Sequence, residues 1–432
     1  MSELYNKINR SKLIVNGYIP FGLAMAIMII MPVYHWFIPP FLIFWAIYSL
    51  FRAGFWFEAI NDLDQKSKFL YILFLIFFIW QLAGMLYSDN HRGGWRNIEL
   101  HISFLIFPLI MLMPGPIIQK RSGLLLKAFA ISTAAFLVFC YLFAVYRSCS
   151  IISGRLIFNP YLPENSWLNY FFALEFAIFQ HTSYLSMFVI LSIFISFEAS
   201  FDNSLSLKYR IFWTISGLIM IVSVYFLSSR AGILTVIITL PLYFTFKLRH
   251  HRYKKYFRVL VIFVTAILIL IAITNPRVNN YLKWKEEKKV TNIEVRNDRL
   301  TILEASVELL KENFLWGVGT GDIQDELNKI YIGNGYPLLA KVNTNTHNQY
   351  LEIIIENGLP GIIIFSLMFG TMFYIAYQEK NILYFMFLTV VIIAFFFETM
   401  LNRLAGITFY SFFSFILLLN SEYQDNHRIN TE

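Results

Sequence analysis

His347 stands in Asn343-Thr344-Asn345-Thr346-His347-Asn348-Gln349-Tyr350-Leu351-Glu352, where polar residues give way to the apolar run Ile353-Ile354-Ile355. Thr346 and Gln349 have the spacing of a capping box, which predicts Thr346 as N-cap and His347 at the first helical position. The positive end of a helix dipole disfavours imidazolium, so His347 is expected to stay neutral and able to accept a proton. A histidine that merely caps a helix is the competing reading. Asn357-Gly358 is expected to end this short helix, and Pro360 to open the next. Cations stand elsewhere in the chain at places that local stability does not explain. Arg230 follows Ser228-Ser229 in a tight turn between two apolar runs, and Arg299 falls in the first turn of a predicted helix. A cation at a helix N-terminus adds to a dipole of the same sign, so an anion is expected near each. Base and cations together suit transfer of a group from an anionic leaving group.

The elements that must position these residues follow from composition. Of 432 residues, 57% are hydrophobic, 18% aromatic and only 14% charged, with a mean hydropathy of +0.58. Soluble domains carry about 25% charge, so the chain reads as an all-α polytopic membrane protein. At about 20 apolar residues per span, about twelve spans are expected. They lie near 13–31, 36–52, 69–87, 98–113, 124–146, 182–199, 211–227, 231–247, 258–274, 359–377, 382–399 and 405–420. The organisation is then 1–274 with nine spans, a large extracytoplasmic helical loop over 275–358, and 359–432 with three spans and a tail. No small-residue cleavage site follows the basic N-terminus, so the first span is expected to be retained.

Lys and Arg in the connections place both termini in the cytoplasm. The run Lys247-Leu248-Arg249-His250-His251-Arg252-Tyr253-Lys254-Lys255-Tyr256-Phe257-Arg258 reads as an inner-leaflet anchor, not a nucleic-acid site. Outside its long loop, the opposite side carries Arg92, Arg96, Arg147, Arg155, Arg230 and Arg403 and no lysine. The planar guanidinium fork suits phosphate, although arginines also snorkel to headgroups. Cys140 and Cys149 provide neither a disulfide framework nor a zinc site, and no metal or other cofactor is expected.

In the long loop, Tyr281-Leu282-Lys283-Trp284-Lys285-Glu286-Glu287-Lys288-Lys289 reads as solvated. Residues 297–311 predict a helix with an apolar stripe at 300, 303, 307 and 310, lying on the bilayer surface or over the bundle. Gly317-Val318-Gly319-Thr320-Gly321-Asp322 lacks the preceding strand of a phosphate-cradling loop and reads as a turn between helices.

These pieces together resemble the O-antigen ligase and polymerase superfamily of bacterial envelope glycosyltransferases. The likeness rests on Ser229-Arg230-Ala231-Gly232, Arg299, Gly317 to Asp322, and His347-Asn348-Gln349-Tyr350-Leu351 leading to Gly358-Leu359-Pro360-Gly361. Phe314-Leu315-Trp316 departs from it, since relatives often have proline there. The resemblance implies a glycan donor on undecaprenyl diphosphate and transfer on the periplasmic face of the inner membrane, without nucleotide or metal. It also implies His347 as the essential histidine and Arg230 and Arg299 as diphosphate ligands, with Arg96 and Arg403 as further candidates. His181-Thr182-Ser183-Tyr184 looks like a histidine–tyrosine pattern of some members, which makes His181 and Tyr184, with Asn348, candidate substrate contacts; a structural role for His181 stays open. The acceptor is lipid A-core for a ligase, or a second lipid-linked glycan for a polymerase. Tyr161, Trp167 and Tyr170 are candidates to stack on sugars. A lipid-linked oligosaccharide flippase is the other class that fits the span count. Against it, Glu175 and Glu398 fall near span ends and Arg52 at the cytoplasmic edge, not at mid-membrane.

Overall fold

The computed structural model describes residues 17–51, 59–61, 63–112, 116–162, 165–249, 254–274 and 298–429. The solvated stretch 281–289, Arg52, residues 1–16 and His250 to Tyr253 of the basic run lie outside them. Apolar, uncharged runs form helices here because a backbone away from water must satisfy its own N–H and C=O groups. The first part holds α1 (Tyr18–Ile30), a 3-10 turn (His35–Phe37), α2 (Ile38–Leu50), α3 (Gln65–Gly84), α4 (His91–His101), α5 (Ser103–Met111) and α6 (Pro116–Ser148). Four strands follow: β1 (Cys149–Ile152), β2 (Arg155–Phe158), β3 (Tyr161–Leu162) and β4 (Asn165–Asn169). Then come α7 (Ala173–Ala177), α8 (Thr182–Ser200), α9 (Leu207–Leu227), α10 (Arg230–Lys247) and α11 (Lys254–Thr274). The loop carries α12 (Asp298–Asn313), α13 (Ile323–Gly333) and α14 (Pro337–Lys341). The chain closes with α15 (Gln349–Gln378), α16 (Ile382–Phe395), the 3-10 turn Met400–Asn402 and α17 (Leu404–Ile429).

Six helices among the described residues are long and apolar enough to cross a membrane: α3, α6, α8, α9, α10 and α15. Five shorter apolar stretches lie in α1, the turn with α2, α11, α16 and α17. The expected span at 98–113 is instead divided between α4, which is largely polar, and the nine-residue α5. Nine residues are about half of what a span needs.

The described residues are mostly helical, as expected, and two short antiparallel hairpins, β1–β2 and β3–β4, add to the helices. Ser153 and Gly154 join the first with positive φ at both residues, 53° and 75°. That is the backbone of a type I′ turn, whose twist matches the flanking strands.

The axis of the bundle is α8, with 89% of its spanning window buried. It packs most extensively on α9 and also on α6, α10 and α16. Gly232 of α10 lets the two backbones approach, because a Cβ there would press onto Ser186 of α8. A second, smaller core joins Ile302, Ala305 and Leu309 of α12 to Ile323, Leu327 and Tyr331 of α13 and Ile355 of α15. The predicted stripe of α12 is therefore displaced. Leu300 and Leu303 are 53% and 44% exposed, while Thr301, Ile302, Ala305, Ser306 and Leu309 are buried. Apolar residues occupy a wide arc of this helix, and the side bearing the small Ala305 and Ser306 permits the closer approach to α15.

Candidate active site

Residues 345–352 are fastened to the segment between α16 and α17 by side chains at three positions. Asn345 Nδ2 donates to Thr399 Oγ1 at 2.7 Å, Leu401 N to Gln349 Oε1 at 2.7 Å, and Asn402 Nδ2 to Glu352 Oε1 at 2.7 Å. This register brings His347 against Glu398, whose Oε2 lies 3.2 Å from His347 Nδ1.

The helix does not begin as the capping-box spacing predicts. Asn348 is the N-cap of α15, its Oδ1 accepting from Tyr350 N at 3.0 Å and Leu351 N at 3.1 Å. Thr346 Oγ1 instead donates to Glu352 Oε2 at 2.6 Å, and Gln349 is engaged with Leu401. Thr346 is drawn away because Glu352 is buried and needs donors. His347 consequently precedes the helix rather than opening it, in the left-handed region at φ 48°. Such a backbone costs of order 1 kcal/mol for a residue with a Cβ and is held here by the surrounding bonds. One of them runs from His347 N to Asn345 Oδ1 at 3.2 Å. The predicted end of the short helix is as read: Gly358, at φ 65° and ψ −167°, kinks α15. Leu359 N turns to the carbonyls of Phe314 and Leu315 at 3.0 and 3.1 Å. Only glycine adopts that backbone freely.

Glu398 is the centre of the charge pattern. Besides His347, it has Ser183 Oγ at 3.4 Å and Arg299 Nη2 at 3.9 Å from Oε1. Burial works to raise its carboxyl pKa, but the hydrogen bond and charge of His347, with His181 and Arg299 nearby, outweigh it and hold the group below its ordinary value. An ionised Glu398 only accepts, so Nδ1 donates to it, and Nε2 makes no hydrogen bond among the described residues.

Arg299, in the first turn of α12, lies 3.9 Å from the Glu398 carboxylate, and its side chain remains 40% exposed. Arg230 is the first residue of α10, behind Ser228 at φ 54° and the N-cap Ser229, whose hydroxyl accepts from Gly232 N at 3.2 Å. The Gly232–Ser186 approach sets the start of α10 beside the start of α8. His181 caps α8, its Nδ1 accepting from Ser183 N at 3.4 Å, and its ring lies 5.8 Å from that of Tyr184. Arg403 and Glu398 both act electrostatically on Tyr184. Arg96 is exposed on α4, which packs on the Met400–Asn402 turn, and makes no ion pair among the described residues. Asn348 has its carboxamide oxygen committed to the helix cap.

Arg147 and the glycine turn both have structural partners. Arg147 pairs with Glu175 at 2.8 Å and lies over the Tyr170 ring at 4.2 Å, so one face of that ring is occupied. The glycine turn is structural: Val318 N and Gly319 N bond to the Ile355 and Glu356 carbonyls, and Asp322 accepts from Asp89 N and Asn90 N. Glu398 is what sequence reasoning missed. It was visible only as an acid ending an apolar run on the same side as His347, and nothing local links the two.

A sequence model of the O-antigen ligase family matches residues 215–366. The matched region contains Arg230, Arg299 and His347, while Glu398, Arg403, His181 and Arg96 lie outside it. The match supports placement in the O-antigen ligase superfamily. Comparison with curated proteins gives no match.

Proposed function

We propose that this member of the O-antigen ligase superfamily moves a glycan from a lipid diphosphate, undecaprenyl diphosphate, to an acceptor hydroxyl on the periplasmic face of the inner membrane. The observation that carries the reading is the chain Arg299–Glu398–His347, which holds the imidazole by Nδ1 and leaves Nε2 outside any hydrogen bond among the described residues. In the proposed step, His347 Nε2 takes the proton of the acceptor hydroxyl as its oxygen attacks the anomeric carbon. The bond from that carbon to the diphosphate oxygen breaks, and the electron pair leaves with the diphosphate. Arg230 and Arg299 hold the departing diphosphate in this proposal, with Arg403 and Arg96 as further candidates. In-line displacement inverts the anomeric centre, and the arginines do without metal what a divalent cation does elsewhere.

General-base help is worth about 10²–10⁴-fold. The acceptor, lipid A-core or another lipid-linked glycan, decides between ligase and polymerase. Purified protein in liposomes with a lipid-diphosphate-linked glycan and either acceptor tests the proposal. Product is expected without nucleotide, and His347→Ala should slow its formation by about 10²–10⁴-fold while still binding donor. Normal turnover by His347→Ala would remove the base from the mechanism.

A further inference from the structure

A cavity of about 420 Å³ opens at the end of the bundle opposite His347. The helices that frame both places establish this. α8 runs from Thr182 near Glu398 to Ser200 at the cavity, α10 from Arg230 to Lys247, and α16 from Ile382 at the cavity to the segment that bears Glu398. Eighteen helical residues span about 27 Å, close to the about 30 Å of a hydrocarbon core. The cavity therefore lies at the level of the phosphates of the other leaflet.

Its lining is cationic in effect. Lys127, Lys247 and Lys380 face it together with Glu198 and Asp202. Both carboxylates are already engaged. Glu198 accepts from Lys247 Nζ at 2.6 Å and Tyr243 OH at 2.9 Å. Asp202 accepts from Ser204 N at 3.0 Å and Ser204 Oγ at 2.6 Å, with Lys127 Nζ at 3.8 Å. Lys380 makes no ion pair among the described residues. Its left-handed backbone, φ 52°, sets it immediately before the N-cap of α16, whose first residues also line the cavity. An independent sign of a ligand is Asn420, which is only 8% exposed. Its Oδ1 accepts from Ser122 Oγ at 2.9 Å, and its Nδ2 has no partner among the described residues. The Asn420 amide, the Lys380 ammonium and the start of α16 all line this one volume, and each favours an anion.

We propose that this cavity binds a phosphate group, that of an anionic phospholipid headgroup in the leaflet opposite the His347 site. The full-length protein in detergent is melted with three probes: dihexanoyl-phosphatidylglycerol, dihexanoyl-phosphatidylcholine and inorganic phosphate. Phosphatidylglycerol should raise the melting temperature more than phosphatidylcholine. Lys127→Gln/Lys380→Gln should weaken that response at least tenfold in probe concentration, while Lys127→Arg/Lys380→Arg retains it. A response to inorganic phosphate that the Gln pair also abolishes would assign the site to a soluble phosphate and overturn the headgroup. No response to any probe, or one equal in the Gln pair, overturns the site altogether. Lys380→Gln alone changes an exposed side chain and carries the same test if the pair fails to fold.

Discussion

Replacing Glu398 with glutamine keeps the volume and removes the charge that faces His347 at 3.2 Å. A hydrogen bond to a charged partner contributes about 1.5–3 kcal/mol and a neutral one about 0.5–1.5. The charge is thus worth roughly 1–1.5 kcal/mol, or about tenfold in rate if it is felt in the transition state. That is the effect expected when the glutamine carbonyl takes the carboxylate's place. Should the amide N–H face Nδ1 instead, the imidazole proton moves to Nε2 and the base is lost, with a fall toward 10²–10⁴. Either way kcat drops while donor KM stays near its wild-type value, because Arg299 is released rather than removed. The assay is glycan transfer in liposomes at saturating donor and acceptor. A double-mutant cycle with His347→Ala separates this from a general structural effect: Glu398→Gln should change nothing once the imidazole is gone. An equal rate loss in both backgrounds would refute the coupling, as would an unchanged kcat in the single variant.

Other outcomes test neighbouring parts of the site. Arg230→Lys and Arg299→Lys should each weaken binding of the diphosphate donor by about tenfold, since an ammonium lacks the planar fork; donor titration reads it. Asn348→Ala should lower unfolding stability by about 1 kcal/mol, because the α15 cap is lost, whereas equal stability would return the cap to Thr346. Glu398 also makes stability depend on acid. Its carboxyl is held below the ordinary value of about 4.3, so its contribution is present above that pH and is lost as pH falls through the lower folded-state value. Thermal melts between pH 3 and 7 should therefore show the wild type losing its advantage over Glu398→Gln at the acid end.

Most of the scaffold was legible in the sequence. Apolar length is a property of a contiguous stretch, and so α3, α6, α8, α9, α10 and α15 fall where the hydrophobic runs are. The same holds for the kink at Gly358, which only glycine tolerates, and for α12 opening at Asp298 with Arg299 in its first turn. Where two local choices were equally good, tertiary contacts made them. Thr346 and Asn348 can each cap a helix, and the need of buried Glu352 for a donor gave the role to Asn348. Leu300/Leu303 and Ile302/Ala305/Leu309 were both apolar sides of α12, and close packing selected the side with small residues. The chemistry shows the same division most clearly. His347 could be named from its sequence neighbours, but its partner Glu398 lies 51 positions away in a separate segment. Only the pairing of residues 345–352 with residues 399–402 brings that carboxylate to the imidazole, because hydrogen bonds between distant segments leave no periodicity in the chain.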